Sequence, residues 1–244
     1  MTGTPPLYDA LMEVVRTRMT TRQFDPAYRV PREHYERILE AARHAPSGAN
    51  AQPWHYIIVE SAQTKKAVAD YFVAEQRRRA KLKMKFPTPN YRGLETAPGM
   101  IVVLADFRYT RAFPVLGDGS EPDRQYQANA ERILLQSVAA STLLAHLAAT
   151  ALGYKVWWVT AIGQEEAQRA MRPLLAVPEE LAIIDLFCFG PPLKPPYKRW
   201  KKKLDEIVSW ERFDMRQYRT LAEIDRWVRE TRHKVMYRDE QNVD

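Results

Sequence analysis

Ala45-Pro46-Ser47-Gly48-Ala49-Asn50-Ala51-Gln52-Pro53-Trp54 is a polar, turn-forming stretch set between two apolar segments. The helical spacing ahead of it, Tyr35, Ile38, Leu39 and Ala42, stops at Pro46, and a β-branched run, Tyr56-Ile57-Ile58-Val59, opens just beyond Trp54. A loop carried between a helix and a strand is where binding groups tend to sit. Ser47, Asn50 and Gln52 supply hydroxyl and amide groups, Gly48 allows close approach of the backbone to a ligand, and Trp54 adds an apolar wall. These groups suit a flat heterocycle with polar edges. An ordinary helix-to-strand connection with a satisfied Asn fits the same ten residues.

The segment upstream narrows the choice. Arg18-Met19-Thr20-Thr21-Arg22-Gln23-Phe24-Asp25-Pro26 follows a short amphipathic helix marked by Leu7, Leu11, Val14 and Val15, and sets two guanidinium groups around a pair of hydroxyls. Guanidinium forks match phosphate oxygens, so the spacing reads as a phosphate clamp. The alternative is a solvated helix face with arginines at i and i+4. The chain has neither a Rossmann fingerprint nor a Walker loop, so a phosphate would be held by side chains rather than by a glycine cradle.

The two motifs together, Arg18 to Phe24 and then Pro46 to Trp54 leading into a strand, resemble the nitroreductase superfamily of FMN-dependent oxidoreductases. The resemblance continues through Leu94-Glu95-Thr96-Ala97-Pro98 into Ile101 to Leu104, the helix end Leu147 to Gly153, and Phe189-Gly190-Pro191-Pro192 with the basic stretch Lys198 to Lys203. It covers residues 8 to 208. It implies a homodimer with FMN in a cleft between the subunits, most of each site coming from the basic motif and Pro46 loop of one chain. It further implies NADH or NADPH as electron donor and a small-molecule acceptor reduced by a ping-pong mechanism, the acceptor being a nitroaromatic, quinone or activated alkene.

By the same resemblance, Arg18, Thr20 and Arg22 hold the phosphate and ribityl chain, and Pro46, Ser47 and Gly48 line the ring, with Asn50 and Gln52 nearby. Trp158, Val159 and Thr160 occupy the stretch beside the flavin N5, where many members are glycine-rich and the iodotyrosine deiodinase branch has threonines. Thr160 is therefore the candidate catalytic residue, its hydroxyl placed to bond N5. Lys201 matches a late basic position in the family, with Arg199 as its neighbour. Tyr71, Glu75 and Lys81 are loosely similar in type and order to the residues that grip a halotyrosine in the deiodinase branch. The alternatives to a general reductase are a deiodinase-like or heterocycle-oxidising enzyme, and a flavin-binding protein without turnover.

Composition agrees with one compact enzyme. The 244 residues are 45% hydrophobic, within the range in which a single core is buried. The N-terminus lacks a signal-peptide pattern and no apolar run approaches the roughly 20 residues of a bilayer span, so a cytoplasmic protein without membrane contact is expected. The single cysteine, Cys188, lies in the apolar run Ala182 to Phe189 and reads as an inert core thiol. The net charge of +7 comes from Arg77-Arg78-Arg79 with Lys81, Lys83 and Lys85, from Lys194 and Lys198 to Lys203, and from arginines in the tail. No nucleic-acid-binding signature accompanies that charge, and the five histidines show no metal-ligand spacing.

Periodicity predicts helices over 6–18, 31–45, 62–84, 122–151, 164–172 and 219–236, and strands over 54–60, 99–106, 155–160 and 182–190. The segment from Ala128 to Leu152 is apolar almost all round and reads as a core or interface helix. Without regular βαβ alternation the order points to an α+β sandwich, and the resemblance adds a central, mostly antiparallel sheet. Residues 1–208 form the expected flavin-binding domain. Residues 209–244, rich in aromatic side chains such as Trp210, Phe213, Tyr218 and Trp227, form an extension expected to pack on the dimer or the mouth of the active site.

Overall fold

The computed structural model describes residues 5–82, 90–113, 116–196 and 200–232. Among these residues, seven α-helices and four strands follow in the order α1 (Pro6–Thr17), α2 (Arg32–Arg43), β1 (Trp54–Ile58), α3 (Ala62–Ala80), α4 (Gly93–Thr96), β2 (Gly99–Asp106), α5 (Glu121–Ala151), β3 (Lys155–Trp158), α6 (Glu165–Leu175), β4 (Leu181–Gly190) and α7 (Leu221–Glu230). The strands form one sheet in the order β1-β2-β4-β3, every neighbouring pair antiparallel.

Alternation along the central strands divides the core. Met100, Val102 and Leu104 of β2 pack with Val68, Phe72, Leu94 and Met171 from α3, α4 and α6. Ile101, Val103 and Ala105 face the other way, onto Tyr35 and Ile38 of α2 and Leu134 and Val138 of α5. Helices therefore cover both faces, which is why β2 is buried along its whole length. This is the expected α+β sandwich.

Boundaries shift for local reasons. α6 runs through Pro173, where the expected helix stopped, because so near its end the proline removes one hydrogen bond and Ala176 closes the last turn in a left-handed conformation (φ 52°). β3 ends at Trp158 because Thr160 opens a 3-10 turn, Thr160–Gly163. α3 ends at Ala80, and the expected tail helix is observed only as α7, with residues from 233 onward outside the described set.

α5 is less uniformly apolar in its setting than its sequence suggests. Ser137, Ser141, Thr142 and His146 are buried, whereas Leu135 and Leu143 are exposed. It is also long and apolar enough by composition to cross a membrane, contrary to the expectation that no segment would be, but half of it is buried against the rest of the chain. Two further apolar surfaces lie open: the stripe of α1, where Leu7 is 86% exposed, and the tail, where Trp210 is 88% and Leu221 74% exposed. The open apolar surface already begins at Leu204, ahead of the expected boundary at residue 209.

Candidate active site

The basic segment is an extended strand-like run, not a helix face. α1 stops at Thr17, and Arg18 already has extended backbone (ψ 100°). Thr20 then bridges Val156 in parallel, with Val156 N–H donating to Met19 O and Thr21 N–H donating to Val156 O at 3.0 Å. Phe24 is fully buried and bridges Pro192 just beyond β4. Gly93 permits the fit on the other side, since a Cβ there would collide with the Arg22 carbonyl. The segment is thus fixed along the β3 edge by backbone bonds and by one aromatic anchor.

Its side chains divide by role. The Thr21 hydroxyl donates to Gln23 O at 3.1 Å and belongs to the local turn. The Arg22 guanidinium lies 5.6 Å from the centre of the Trp157 ring, so it supports the fold as well as any ligand. Arg18 is half-buried, burial alone holds its guanidinium below the ordinary value, and no acidic residue pairs with it among the described residues. A partly buried cation lacking a protein counter-ion is a fitted place for an anion. At the end of β3 the chain emerges from the core, with Trp158 and Thr160 exposed and Val159 buried. The Val159 side chain packs in the α3/α6 core and its N–H donates to Leu186 O at 2.7 Å. Its carbonyl accepts from Ile162 N–H at 3.5 Å, so both backbone groups of Val159 are engaged within the chain.

The Pro46 loop is built differently from expectation. Gly48 approaches α5, because a Cβ on it would strike Ile133 and Phe113, and its N–H donates to Ser137 Oγ at 3.1 Å. The Ser47 hydroxyl accepts from Gln52 N–H at 3.1 Å and closes the loop. The Gln52 amide in turn donates to Asn50 O and Oδ1. Ala49, Asn50 and Gln52 all have positive φ (50°, 53° and 48°), a conformation that disfavours side-chain-bearing residues. Three such residues in one loop cost of order 1–3 kcal/mol each, and strain of this kind concentrates at functional sites. Pro46, Asn50 and Gln52 are exposed.

One subunit does not bring the two motifs together. The loop leads into β1 at one edge of the sheet, and the basic segment lies on β3 at the other. Three strand spacings separate those edges, about 14 Å. α5 shows the same separation: the loop is tied to Ser137, while Arg18 acts electrostatically on His146, nine residues and about 14 Å further along. The expected union of both motifs within one chain is not what the fold provides. Lys201 is exposed ahead of a 3-10 turn at Leu204–Glu206, and Arg199 lies outside the described residues.

Tyr71 and Glu75 line a pocket with Arg79, Tyr91 and Gln164, and Lys81 takes no part in it. Glu75 is already bound by Arg78 and Arg79, whose hydrogen bonds and charges hold its carboxyl below the usual range. Cys188 is fully buried and its thiol is pushed up by burial. No cluster of three or more metal-ligating side chains occurs among the described residues.

Residues 15–191 match the nitroreductase family. The chain belongs to that family. Membership carries the class of chemistry with it: an oxidoreductase that uses FMN and NAD(P)H. A protein of Archaeoglobus fulgidus assigned as an NADH dehydrogenase/NAD(P)H nitroreductase is 27% identical over 74% of this chain and 84% of its own length. The NAD(P)H nitroreductase YdgI of Bacillus subtilis is 25% identical over 82% of this chain and 97% of its own. A nitroreductase of Exiguobacterium sibiricum, solved in complex with FMN, superposes with a TM-score of 0.63 over 86% of this chain and 99% of its own, at 21% identity.

Sequence reasoning missed the polar groups beneath the end of β3. His146 of α5 is buried edge-on between Trp158 and Phe187, with ring centroids 5.2 and 4.8 Å away, and burial followed by Arg18 lowers its pKa to about 3. Asp185 of β4 is buried one turn of α5 away, accepting from Thr142 Oγ1 at 3.2 Å, and burial raises its pKa. The available signal was a carboxylate interrupting the apolar run from Ala182 to Phe189.

Proposed function

We propose that the protein is a homodimeric reductase of small electrophiles, nitroaromatics, quinones or activated alkenes, with each FMN held between the basic segment of one subunit and the Pro46 loop of its partner. The half-buried Arg18, without an acidic partner among the described residues and acting on the His146 ring that packs against the exposed Trp158, carries the reading. FMN, when bound, supplies reversible hydride chemistry between nicotinamide and the acceptor. The chain's own task is to bind, orient and exclude water. Arg18 and the Thr20 hydroxyl meet the phosphate end, with Arg22 helping from its seat on Trp157. The indole of Trp158 walls one side of the ring, and Thr160 offers a hydroxyl at the reactive edge. The strained Ala49 to Gln52 loop of the partner borders an edge of the ring, leaving the face opposite Trp158 for nicotinamide donor and acceptor to use in turn, hence ping-pong kinetics.

Sheet geometry supports sharing, because the two motifs occupy opposite edges of one subunit, and in a two-fold dimer in which one motif meets the partner's other motif the same meeting occurs twice, giving two equivalent clefts. The open apolar surfaces of α1, α5 and the tail offer the area such an interface would bury. We assign residues 1–208 to the flavin-binding body and 209–244 to the extension across the interface. The engaged state of Glu75 argues against a halotyrosine grip. Titration of the apoprotein with FMN, followed by anaerobic addition of NADH and of NADPH, tests the proposal. Yellow protein with one FMN per subunit, bleached by a nicotinamide donor and reoxidised by a quinone, is the expected result. Failure to take up FMN at micromolar concentration overturns it.

A further inference from the structure

The turn that leads into α4, Tyr91 to Leu94, meets Arg22 in two ways, and the proposed reaction does not otherwise use it. The turn closes on itself where Leu94 N–H donates to Tyr91 O at 3.0 Å, and Tyr91 N–H ties it to α3 by donating to Gln76 Oε1 at 3.3 Å. Gly93 lies against the Arg22 main chain, because a Cβ there would collide with the Arg22 carbonyl and stand 3.2 Å from the Trp157 ring.

The second meeting runs through aromatic rings. Tyr91 stacks on Phe72 of α3, with centroids 5.1 Å apart and planes at 28°, and on Trp157 of β3, 5.8 Å away at 18°. Trp157 in turn carries the Arg22 guanidinium over its ring at 5.6 Å. Phe72 and Trp157 are buried and Tyr91 is half-buried, so the stack starts in the core and ends on a half-buried cation. Core packing accounts for three stacked rings. The Gly93 contact with the main chain of the same arginine is what makes the turn a seat for it. A guanidinium forks onto a phosphate only when its plane is turned correctly, and a long side chain has many other rotamers to choose from.

We propose that Tyr91 is a positioning residue: stacked on Trp157, it fixes the plane in which the Arg22 guanidinium is offered to the FMN phosphate. The inference rests on the proposed cofactor site. Its observable is dependence: Tyr91 should matter to flavin binding only through Arg22, and only for a flavin that carries a phosphate.

The test is a double-mutant cycle on FMN affinity in the whole protein, joined to NMR of the arginine Nε–H groups in the apoprotein. Arg22→Ala assigns the Arg22 signal, which should report an ordered side chain in the native protein and a mobile one in Tyr91→Leu. Tyr91→Leu keeps apolar volume but removes the stacked ring. It should weaken FMN several-fold, whereas in the Arg22→Ala background the same change should cost nothing. Riboflavin, which lacks the phosphate, should bind Tyr91→Leu as it binds the native protein. If Tyr91→Leu fails to fold, Tyr91→Met, an adaptable filler without a ring, takes its place in every comparison. A loss of FMN affinity undiminished by Arg22→Ala, an equal loss for riboflavin, or an Arg22 signal that stays ordered without the Tyr91 ring overturns the proposal. So does native protein that binds FMN no better than Arg22→Ala does. Native protein that takes up no FMN disposes of the cofactor site itself, and the Arg22 signal then decides by itself whether Tyr91 holds the arginine.

Discussion

Arg18 and Arg22 look equivalent in the sequence, and packing separates them. Arg22 lies on Trp157, so Arg22→Ala removes a cation–π contact of about 0.5–2 kcal/mol along with any ligand contact. Among the described residues Arg18 has no such partner. Arg18→Ala should therefore leave urea stability within about 0.5 kcal/mol. It should also weaken FMN by about 1.5–3 kcal/mol, the scale of a charged hydrogen bond. Titration and urea unfolding of both variants check the contrast. His146 yields a pH prediction. Its folded pKa of about 3 lies below the ordinary 6.5, so the stability gained by burying it neutral is fully present above pH 6.5 and is lost as the pH falls toward 3. Relative to a His146→Leu variant, native stability should decline by up to about 1.4 kcal/mol per pH unit within that window, read from urea midpoints. Parallel declines would mean that His146 carries its proton in the folded chain. The residue types at the mouth of the site were legible in the sequence. Which arginine is spare, and that Gly48 faces α5 instead of a ligand, was not, because both depend on neighbours distant in the chain.

At the scale of elements, hydrophobic pattern identified the strands and all the longer helices, since the continuous apolar run of β2 buries both its faces and the 3.6-residue stripe of α2 buries one. It could not reveal the polar stripe of α5, whose members are ordinary small residues until each meets its partner. Ser137 meets Gly48, Ser141 the Tyr56 hydroxyl, and Thr142 Asp185. Nor could it reveal the bulge at Ile184, where the register of β2 against β4 slips between Val103 and Leu104, because a bulge arises from pairing and not from composition. The stripe makes α5 the frame on which the Pro46 loop is hung. Ser137→Ala leaves the Gly48 N–H without its acceptor, a loss of about 1–3 kcal/mol for a buried donor. Because the loop is already strained, that loss should appear first as faster amide exchange over residues 47–52, ahead of any change in the strands. Unchanged exchange there, with general destabilisation elsewhere, would show that Ser137 serves the helix alone.

For the whole molecule, the separation of the two motifs across the sheet determines how the site can be assembled. Fold class followed from the order of elements, but the division of the site between edges required the strand order β1-β2-β4-β3, to which local sequence is blind. Deleting residues 209–244 should weaken the dimer and loosen FMN together, as read by light scattering and flavin retention. A truncated dimer that keeps its flavin would confine the tail to local packing. Complementation tests the sharing directly. Arg18→Ala disables one motif, and Asn50→Asp places a negative charge in the other at a left-handed position that Asp tolerates. Each homodimer should bind FMN poorly. In a mixed dimer with a shared site, one cleft receives both lesions and the other receives none, so half the clefts should regain native FMN affinity. If each site were built from one chain, every cleft in the mixed dimer would carry one lesion and no recovery would occur. Differently tagged subunits, co-expressed and isolated by sequential affinity steps, supply the mixed dimer, and flavin stoichiometry reads the result.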